Sequence, residues 1–218
     1  TVPTNYMAEA PLSSLGQIRA YNGKLWHNVP HPTYGSGEAA ALYVIDPSDL
    51  TSITPVRAPD VEFGPTATAY DPTNNLVWFM ISDVDEIHAY DADTLAESVI
   101  SPLSYPGTGG SPYPSAIAAT GNALWVVYIV SSGPTTTAEV WIYHVDRARW
   151  TQANLLGIEL SFLTAAWAAY DATTSKFYFT VDRRGIPGPL LEVDGATETL
   201  TKGATLGAYP VTSVLTGG

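Results

Sequence analysis

The side chains that could support chemistry in this sequence include four histidines and 21 carboxylates, and there is no cysteine. A zinc site needs histidine or carboxylate ligands that converge, commonly at short spacing. His27 and His31 are four residues apart, but prolines flank His31 and prevent the helix that would align the two rings. His88 and His144 precede their nearest aspartates by three and two residues, so we expect their side chains to face opposite sides of their sheets. We therefore expect no metal site.

Nucleophilic catalysis has no sequence support either. The chain lacks a Gly-x-Ser-x-Gly elbow, and it has no cysteine to act as a nucleophile. The glycine-rich stretch 107–110 has no lysine after it, which predicts a flexible loop and not a phosphate cradle. The acidic stretch 83–86 lacks the glycine and distant glutamate of a calcium loop, so a solvated loop is the favoured interpretation. We expect no catalytic residues and no cofactor.

Composition limits the class of protein. The 218 residues are 45% apolar, enough for a packed core, and their net charge is −12. That charge disfavours a nucleic-acid partner, because phosphate contacts need clustered lysine and arginine. The longest strongly apolar run, 123–130, has eight residues, whereas a spanning helix needs roughly 20. Residues 1–15 are polar and broken by prolines, which predicts no signal peptide there. A charged fraction of 14% and few lysines favour an extracellular protein or a virion surface.

The chain contains a repeat in which a strand of small residues, a polar turn and an aromatic strand follow one another. The aromatic strands of the four copies carry equivalent landmarks at spacings of 52, 47 and 53 residues. These landmarks are Trp26, Trp78, Trp125 and Tyr178. Repeats of this length are typical of arrays of β-sheet units. Helical periodicity is nearly absent, so we predict an all-β fold.

A second landmark follows each aromatic strand, namely a strand that ends in aspartate before another polar turn. These aspartates are spaced 45, 55 and 48 residues apart, which agrees with a period of about 50. They are Asp46, Asp91, Asp146 and Asp194. We expect each carboxylate, and those of Asp71 and Asp171, to cap a hairpin turn through the backbone N–H two residues on.

Each repeat therefore offers four short antiparallel strands, and a single four-stranded sheet cannot cover both of its faces. The motif of an aromatic strand, a loop, an apolar strand and an aspartate turn resembles the blades of YVTN, NHL and quinoprotein-like β-propellers. The resemblance implies a small β-propeller of about four blades plus an extra C-terminal strand. The predicted layout is an N-terminal extension 1–15 and a propeller domain 16–218. Its repeats are 16–60, 61–110, 111–160 and 161–205, with a final strand at 209–218.

The final strand resembles the first strand of a fifth, incomplete blade, and two explanations remain open. The strand could close the ring with irregular termini, which we favour slightly. Alternatively, the chain is part of a longer propeller, or another chain completes it.

Loops that share one face of a propeller are the expected binding surface. They are 31–38, 82–86, 131–137 and 182–189, together with the inter-blade connection 101–114. Exposed tyrosine among glycine and serine suits stacking on sugars or anchoring of a protein. The candidate binding residues are Tyr34, Asp83, Asp85, Tyr105, Tyr113, Arg183 and Arg184.

We thus expect a non-catalytic structural or interaction module that binds a protein partner or a glycan. A homo-oligomer or a larger assembly would be compatible with that role. The alternative is a secreted propeller enzyme, lactonase- or lyase-like, with a central metal site. That alternative requires carboxylates or histidines on the innermost strands, where the sequence instead places residues such as Arg19, Tyr70 and Tyr170.

Overall fold

The computed structural model describes residues 18–29, 41–56, 65–81, 86–98, 102–133, 135–154, 165–171, 173–182 and 189–205. These residues form sixteen β-strands in four antiparallel sheets of four strands, and they contain no helix. Within each sheet, strands that are consecutive in the chain are neighbours. The predicted all-β fold of about four four-stranded blades is confirmed. The predicted extension 1–15 and final strand 209–218 lie outside the described residues.

The chain divides into two compact units, residues 1–103 and 104–218. Sheet 1 comprises β1 (Ile18–Tyr21), β2 (Lys24–Val29), β3 (Ala41–Asp46) and β4 (Asp49–Pro55). Sheet 2 comprises β5 (Pro65–Asp71), β6 (Leu76–Ile81), β7 (Glu86–Asp91) and β8 (Leu103–Ser104). Sheet 3 comprises β9 (Ser111–Ala119), β10 (Ala123–Ser132), β11 (Thr135–His144) and β12 (Arg149–Gln152). Sheet 4 comprises β13 (Ala165–Asp171), β14 (Lys176–Asp182), β15 (Pro189–Asp194) and β16 (Thr199–Thr205).

Aspartate side chains close the turns by local hydrogen bonds, as the sequence predicts. In five turns the aspartate Oδ1 accepts the backbone N–H two residues on, at 2.8 to 3.0 Å. These aspartates are Asp46, Asp71, Asp91, Asp171 and Asp194. Such a bond fixes the turn without any long-range contact, so the residue type alone is enough to predict it.

The prediction for Asp146 is wrong, because His144 holds the equivalent position in sheet 3. Asp91 and Asp194 pair with the first residues of β6 and β14, whereas the corresponding partner of Ala123 in β10 is His144. Asp146 lies two residues further on, and its exposed carboxylate accepts a bond from Arg147 Nε at 3.2 Å. The turn is otherwise equivalent to those of sheets 2 and 4, because Val145 N donates to Asn122 O at 2.9 Å just as Ala92 N donates to Asn75 O and Gly195 N to Ser175 O.

The turn aspartates should make the folded state less stable at acidic pH. Hydrogen bonds from hydroxyl and backbone groups of the turns hold the pKa of Asp46, Asp91, Asp171 and Asp194 below the ordinary value of about 3.9. A carboxyl whose pKa is lower in the folded state adds stability above its unfolded pKa, and this stability is lost as the pH falls through the folded value. We expect the urea midpoint to be steady near neutral pH and to fall below roughly pH 4.

A variant with asparagine at those four positions is the matched control, because asparagine keeps the turn-capping oxygen but does not titrate. Its urea midpoint should fall less steeply with acid than that of the parent chain. Equal slopes for the two proteins would show that other groups cause the acid sensitivity.

Unit 1 has a core between the facing sides of sheets 1 and 2. Trp26 and Leu42 of sheet 1 and Val77 and Phe79 of sheet 2 belong to one buried cluster, and all four are at most 1% exposed. The Phe79 ring stacks on Tyr90 with centroids 5.1 Å apart. Full burial of one large apolar side chain contributes about 1.5–3 kcal/mol, so this cluster is a major source of the unit's stability.

Unit 2 repeats this arrangement with sheets 3 and 4. Trp125 of β10 stacks on Phe177 of β14 with ring centroids 4.9 Å apart and planes 19° apart. Phe179, Leu191 and Val193 of sheet 4 complete the buried cluster against β9, β10 and β11. Backbone bonds also join the two sheets, because Leu200 N donates to Asn154 O at 2.9 Å.

The four aromatic landmarks occupy equivalent places in strand register, but the fourth has a different partner. Trp26, Trp78 and Trp125 pair with the apolar residues Val44, Ala89 and Ile142 of the third strands. In sheet 4 the same pair is Tyr178 with Glu192, and both side chains are partly exposed. Glu192 accepts a bond from Lys176 Nζ at 2.6 Å. That face of sheet 4 is therefore polar where the other sheets bury a tryptophan.

Candidate functional site

Sheet 3 carries the longest strands of the described chain, and their far end is rich in hydroxyl groups. β10 and β11 have ten residues each, whereas the equivalent strands β2, β6 and β14 have six or seven. At this end Ser131 pairs with both Ser111 and Thr136 across the sheet. We call residues 111–113, 131–133 and 135–137 the hydroxyl end of sheet 3. Within it, Ser111, Ser131, Ser132 and Gly133 are exposed.

Tyr113 is the large exposed side chain of the hydroxyl end. It lies on the edge strand β9, pairs with Ile129, and is 37% exposed. Pro112 and Pro114 flank it, and neither has a backbone N–H to offer to an added strand. This edge is therefore protected against strand addition, and Tyr113 is presented for contact through its side chain.

The preceding loop folds back over one face of sheet 3 and inserts Tyr105. The Tyr105 hydroxyl donates to Glu139 Oε2 at 2.8 Å. Its ring lies 4.8 Å from that of Tyr128 and 6.1 Å, edge-on, from that of Trp141. Trp141 Nε1 donates to the same Glu139 oxygen at 2.7 Å. One carboxylate oxygen thus anchors the loop and orients two aromatic rings.

Two glycines shape this loop. A Cβ on Gly107 would overlap the hydroxyl end of the Tyr105 side chain, so any other residue would displace the ring. Gly110 has φ +69°, and a Cβ there would lie 2.9 Å from the carbonyl oxygen of Ser131. Both positions require glycine because the backbone passes directly against a side chain or strand. The loop is thereby held on the hydroxyl end.

The structure describes two of the seven predicted binding residues. Tyr105 is half-buried and bonded to Glu139, whereas Tyr113 is exposed, and both belong to the end of sheet 3 just described. A direct binding role for either stays a prediction. Five predicted residues lie outside the described part of the chain, namely Tyr34, Asp83, Asp85, Arg183 and Arg184. Glu139 and Trp141 are not among the predicted residues, because their only local signal is their alternation on one face of a strand.

His88 lies at the centre of a polar cluster in sheet 2. Its side chain is 5% exposed, and its ring stacks on Phe79 with centroids 5.5 Å apart. Nδ1 bonds Glu97 Oε1 at 2.6 Å, and Nε2 bonds Glu86 Oε2 at 2.9 Å. The cluster is a buried imidazole whose two ring nitrogens each bond a different glutamate.

His144 forms a smaller cluster that joins the two sheets of unit 2. Its Nε2 lies 3.1 Å from Glu198 Oε1 and 2.8 Å from Thr151 Oγ1, and Thr151 donates to Glu198 Oε2 at 2.9 Å. His144 lies on the face of sheet 3 that packs against sheet 4, and His88 on the face of sheet 2 that packs against sheet 1. The prediction that these rings face opposite sides of their sheets is confirmed.

The histidine of sheet 1, His27, lies partly buried on β2. This burial lowers the pKa of its imidazole.

Three turns of unit 1 are joined by amide side chains, which we call the asparagine tie. Asn22 Nδ2 donates to Asp93 Oδ1 at 2.8 Å and to Asn75 Oδ1 at 3.2 Å. Asn75 Nδ2 donates to Asp93 Oδ2 at 2.9 Å. Lys24 Nζ donates to the carbonyl oxygen of Ala92 at 2.6 Å. The tie connects the first turn of sheet 1 to two turns of sheet 2.

Within the described residues, no group of three or more histidine or acidic side chains is arranged to hold a metal ion. A search of the same residues finds no helix of the length and apolarity that crossing a membrane would require.

No family model matches this sequence, and no curated protein matches it. Solved structures do match the fold. Hydrazine synthase from Kuenenia stuttgartiensis superposes with a TM-score of 0.61 at 13% identity, over 93% of this chain and 52% of that one. TolB from Acinetobacter baumannii gives a TM-score of 0.55 at 15% identity, over 85% of this chain and 42% of that one.

A chain of the nidogen/laminin complex gives a TM-score of 0.55 at 13% identity, over 91% of this chain and 70% of that one. The chain thus spans about half the length of the first two structures. All three are β-propeller proteins. At such low identity the likeness concerns the fold alone, and it shows that the four sheets of this chain are blades of the β-propeller kind.

Proposed function

We propose that the chain is a non-catalytic interaction module that binds a protein partner through the hydroxyl end of sheet 3. The observation that carries the proposal is the exposed Tyr113 on a proline-protected edge strand, among serine, threonine and glycine residues. Tyrosine with small hydroxyl residues is the composition of antibody paratopes, because tyrosine gives large contact area at low entropy cost. Serine and threonine supply adaptable hydrogen bonds around it.

The support beneath this surface favours a preformed site. The Tyr105 hydroxyl fixes the loop that precedes β9 by its bond to Glu139 Oε2, and that same oxygen accepts the Trp141 N–H within β11. A rigid surface loses little conformational entropy when it binds, which increases affinity for a partner of complementary shape. We also propose that the protein acts outside the cell or on a particle surface, because its low lysine content and acidic balance suit such a location.

Replacing Tyr113 tests the proposal. A photo-crosslinking phenylalanine analogue at position 113 should give a discrete protein adduct in fractions from the source organism. Excess unlabelled chain should compete with this adduct, whereas excess Tyr113→Ala chain should compete at least roughly tenfold less well, because a buried aromatic anchor is a typical hot spot. Mass spectrometry of the adduct identifies the partner.

The matched control is the same analogue at Leu50, a 63% exposed apolar residue of sheet 1. Any adduct formed from position 50 should not decrease when excess parent chain is added. Equal adducts from both positions, or equal competition by the Tyr113→Ala chain, would rule out the proposed surface. Binding of a glycan array that depends on Tyr113 without a protein adduct would replace the protein partner with a carbohydrate.

A further inference from the structure

The first turn of sheet 1 combines a reactive dipeptide with an anchored side chain. Asn22 and Gly23 form the two-residue β1–β2 connection with φ of 48° and 70°, as expected for an Asn-Gly hairpin turn. Asn22 is exposed, and its amide nitrogen makes two of the bonds of the asparagine tie. The Asn22 side chain therefore joins sheets 1 and 2. It is also accessible to attack by the backbone nitrogen of the next residue, because that residue is glycine.

We propose that Asn22 is a deamidation site, and that its conversion to aspartate or isoaspartate breaks the asparagine tie. The backbone nitrogen of Gly23 attacks Asn22 Cγ and forms a cyclic imide. The Cγ–Nδ2 bond breaks, and the amide nitrogen leaves as ammonia. Water then opens the ring at either carbonyl carbon, giving aspartate or isoaspartate. Water is the only co-reactant, and nothing is oxidised or reduced.

Glycine at position 23 leaves this attack unhindered. A Cβ at Gly23 would meet no heavy atom within 4 Å, so the tip of the turn is open space on that side. Any other residue would bring a side chain next to the attacking nitrogen. Asn122, which is also exposed in a turn, is followed by Ala123 and therefore provides an internal comparison in the same chain.

The folded state protects Asn22. Ring closure requires the side chain to turn towards its own backbone, and this movement breaks the bonds to Asp93 and Asn75. The native rate is then the rate in the open state multiplied by the fraction of molecules that are open. Two hydrogen bonds of ordinary strength give a protection of roughly tenfold or more.

The modified residue cannot rebuild the tie. An aspartate at position 22 has no amide donor, and its carboxylate would face that of Asp93 across the place of a 2.8 Å bond. Two carboxylates at such a distance repel each other. Lys24 Nζ stays bonded to the carbonyl oxygens of Ala92 and Asp93, so it does not replace the missing donor. Isoaspartate also lengthens the backbone within the turn, which disturbs the pairing of Tyr21 with Lys24.

Ageing of the purified full chain at mildly alkaline pH tests the inference, with and without urea. Peptide mass spectrometry should find Asn22 converted first in urea, faster than Asn122, and at least roughly tenfold more slowly without urea. Asp93→Ala should raise the native rate at Asn22 and leave the rate in urea unchanged. Gly23→Ala should slow the reaction in urea. An Asn22→Asp chain should melt at a lower temperature than the parent.

Three results would overturn the inference. They are equal rates at Asn22 with and without urea, faster conversion of Asn122 than of Asn22 in urea, and an unchanged native rate in the Asp93→Ala chain. If the Asn22→Asp chain does not fold, the aged parent chain takes its place. Its modified fraction, separated by charge, should then melt below the unmodified fraction, and equal melting would contradict the proposed loss of the tie.

Discussion

Replacing His88 by alanine should destabilise unit 1 by about 3 kcal/mol, because it removes two hydrogen bonds with carboxylates, and a bond to a charged group contributes about 1.5–3 kcal/mol. The substitution removes the ring that bonds both Glu86 and Glu97. Both glutamates are partly exposed, so water compensates for some of the loss. The ring contact with Phe79 is lost as well. Urea unfolding at neutral pH, followed by tryptophan fluorescence, measures the change.

His144→Ala is the matched control in unit 2. Glu198 keeps a donor when the His144 ring is removed, because the Thr151 hydroxyl still bonds its Oε2 atom. The expected loss is therefore about 1 kcal/mol, the contribution of an ordinary hydrogen bond. A loss as large as that of His88→Ala would contradict the view that the His88 ring contributes more because it bonds two glutamates.

The sequence allowed prediction of those features that depend on a few neighbouring residues. The polar turn between the first two strands of each repeat and the aspartate caps depend on neighbouring residues, so residue type and spacing are sufficient. The repeat of about 50 residues likewise predicted four sheets of four strands, because each repeat carries the same alternation of strands and turns. Asp146 shows the limit of this approach. The similarity of its sequence context aligned Asp146 with the other strand-end aspartates. Strand pairing, however, puts His144 at the equivalent position in sheet 3.

The support of the candidate site could not be predicted, because it depends on register between distant segments. Tyr105 and Glu139 are 34 residues apart, and their contact requires the loop before β9 to fold back over β11. A bulge between Val127 and Tyr128 shifts the pairing of β9 with β10, and this shift decides which residues of β9 share a face with Tyr128. A one-residue shift moves every later side chain to the other face, and the sequence pattern does not reveal where a bulge lies.

Replacing Trp125 by alanine should destabilise unit 2 by about 4 kcal/mol, within the range for removing a buried aromatic side chain. Trp125 is 2% exposed, and its ring covers Phe177 between sheets 3 and 4. Alanine would leave a large cavity against Phe177, Phe179 and Ile142, whose positions are fixed by strand pairing, so little collapse is expected. Urea unfolding followed by circular dichroism measures the loss without relying on the fluorescence of the replaced residue.

Tyr178→Ala is the control that separates burial from position in the repeat. Tyr178 has the same register in sheet 4 as Trp125 in sheet 3, but it pairs with Glu192 on a partly exposed, polar face. Its replacement should cost about 1 kcal/mol, the typical effect of a point substitution. If both substitutions lower the free energy of unfolding equally, the contribution of the aromatic residue would depend on its position in the strand and not on its burial. A much larger loss for Trp125→Ala would show that packing against the facing sheet determines how much the aromatic residue contributes to stability. The same position of the repeat would then have a different energetic role in different blades.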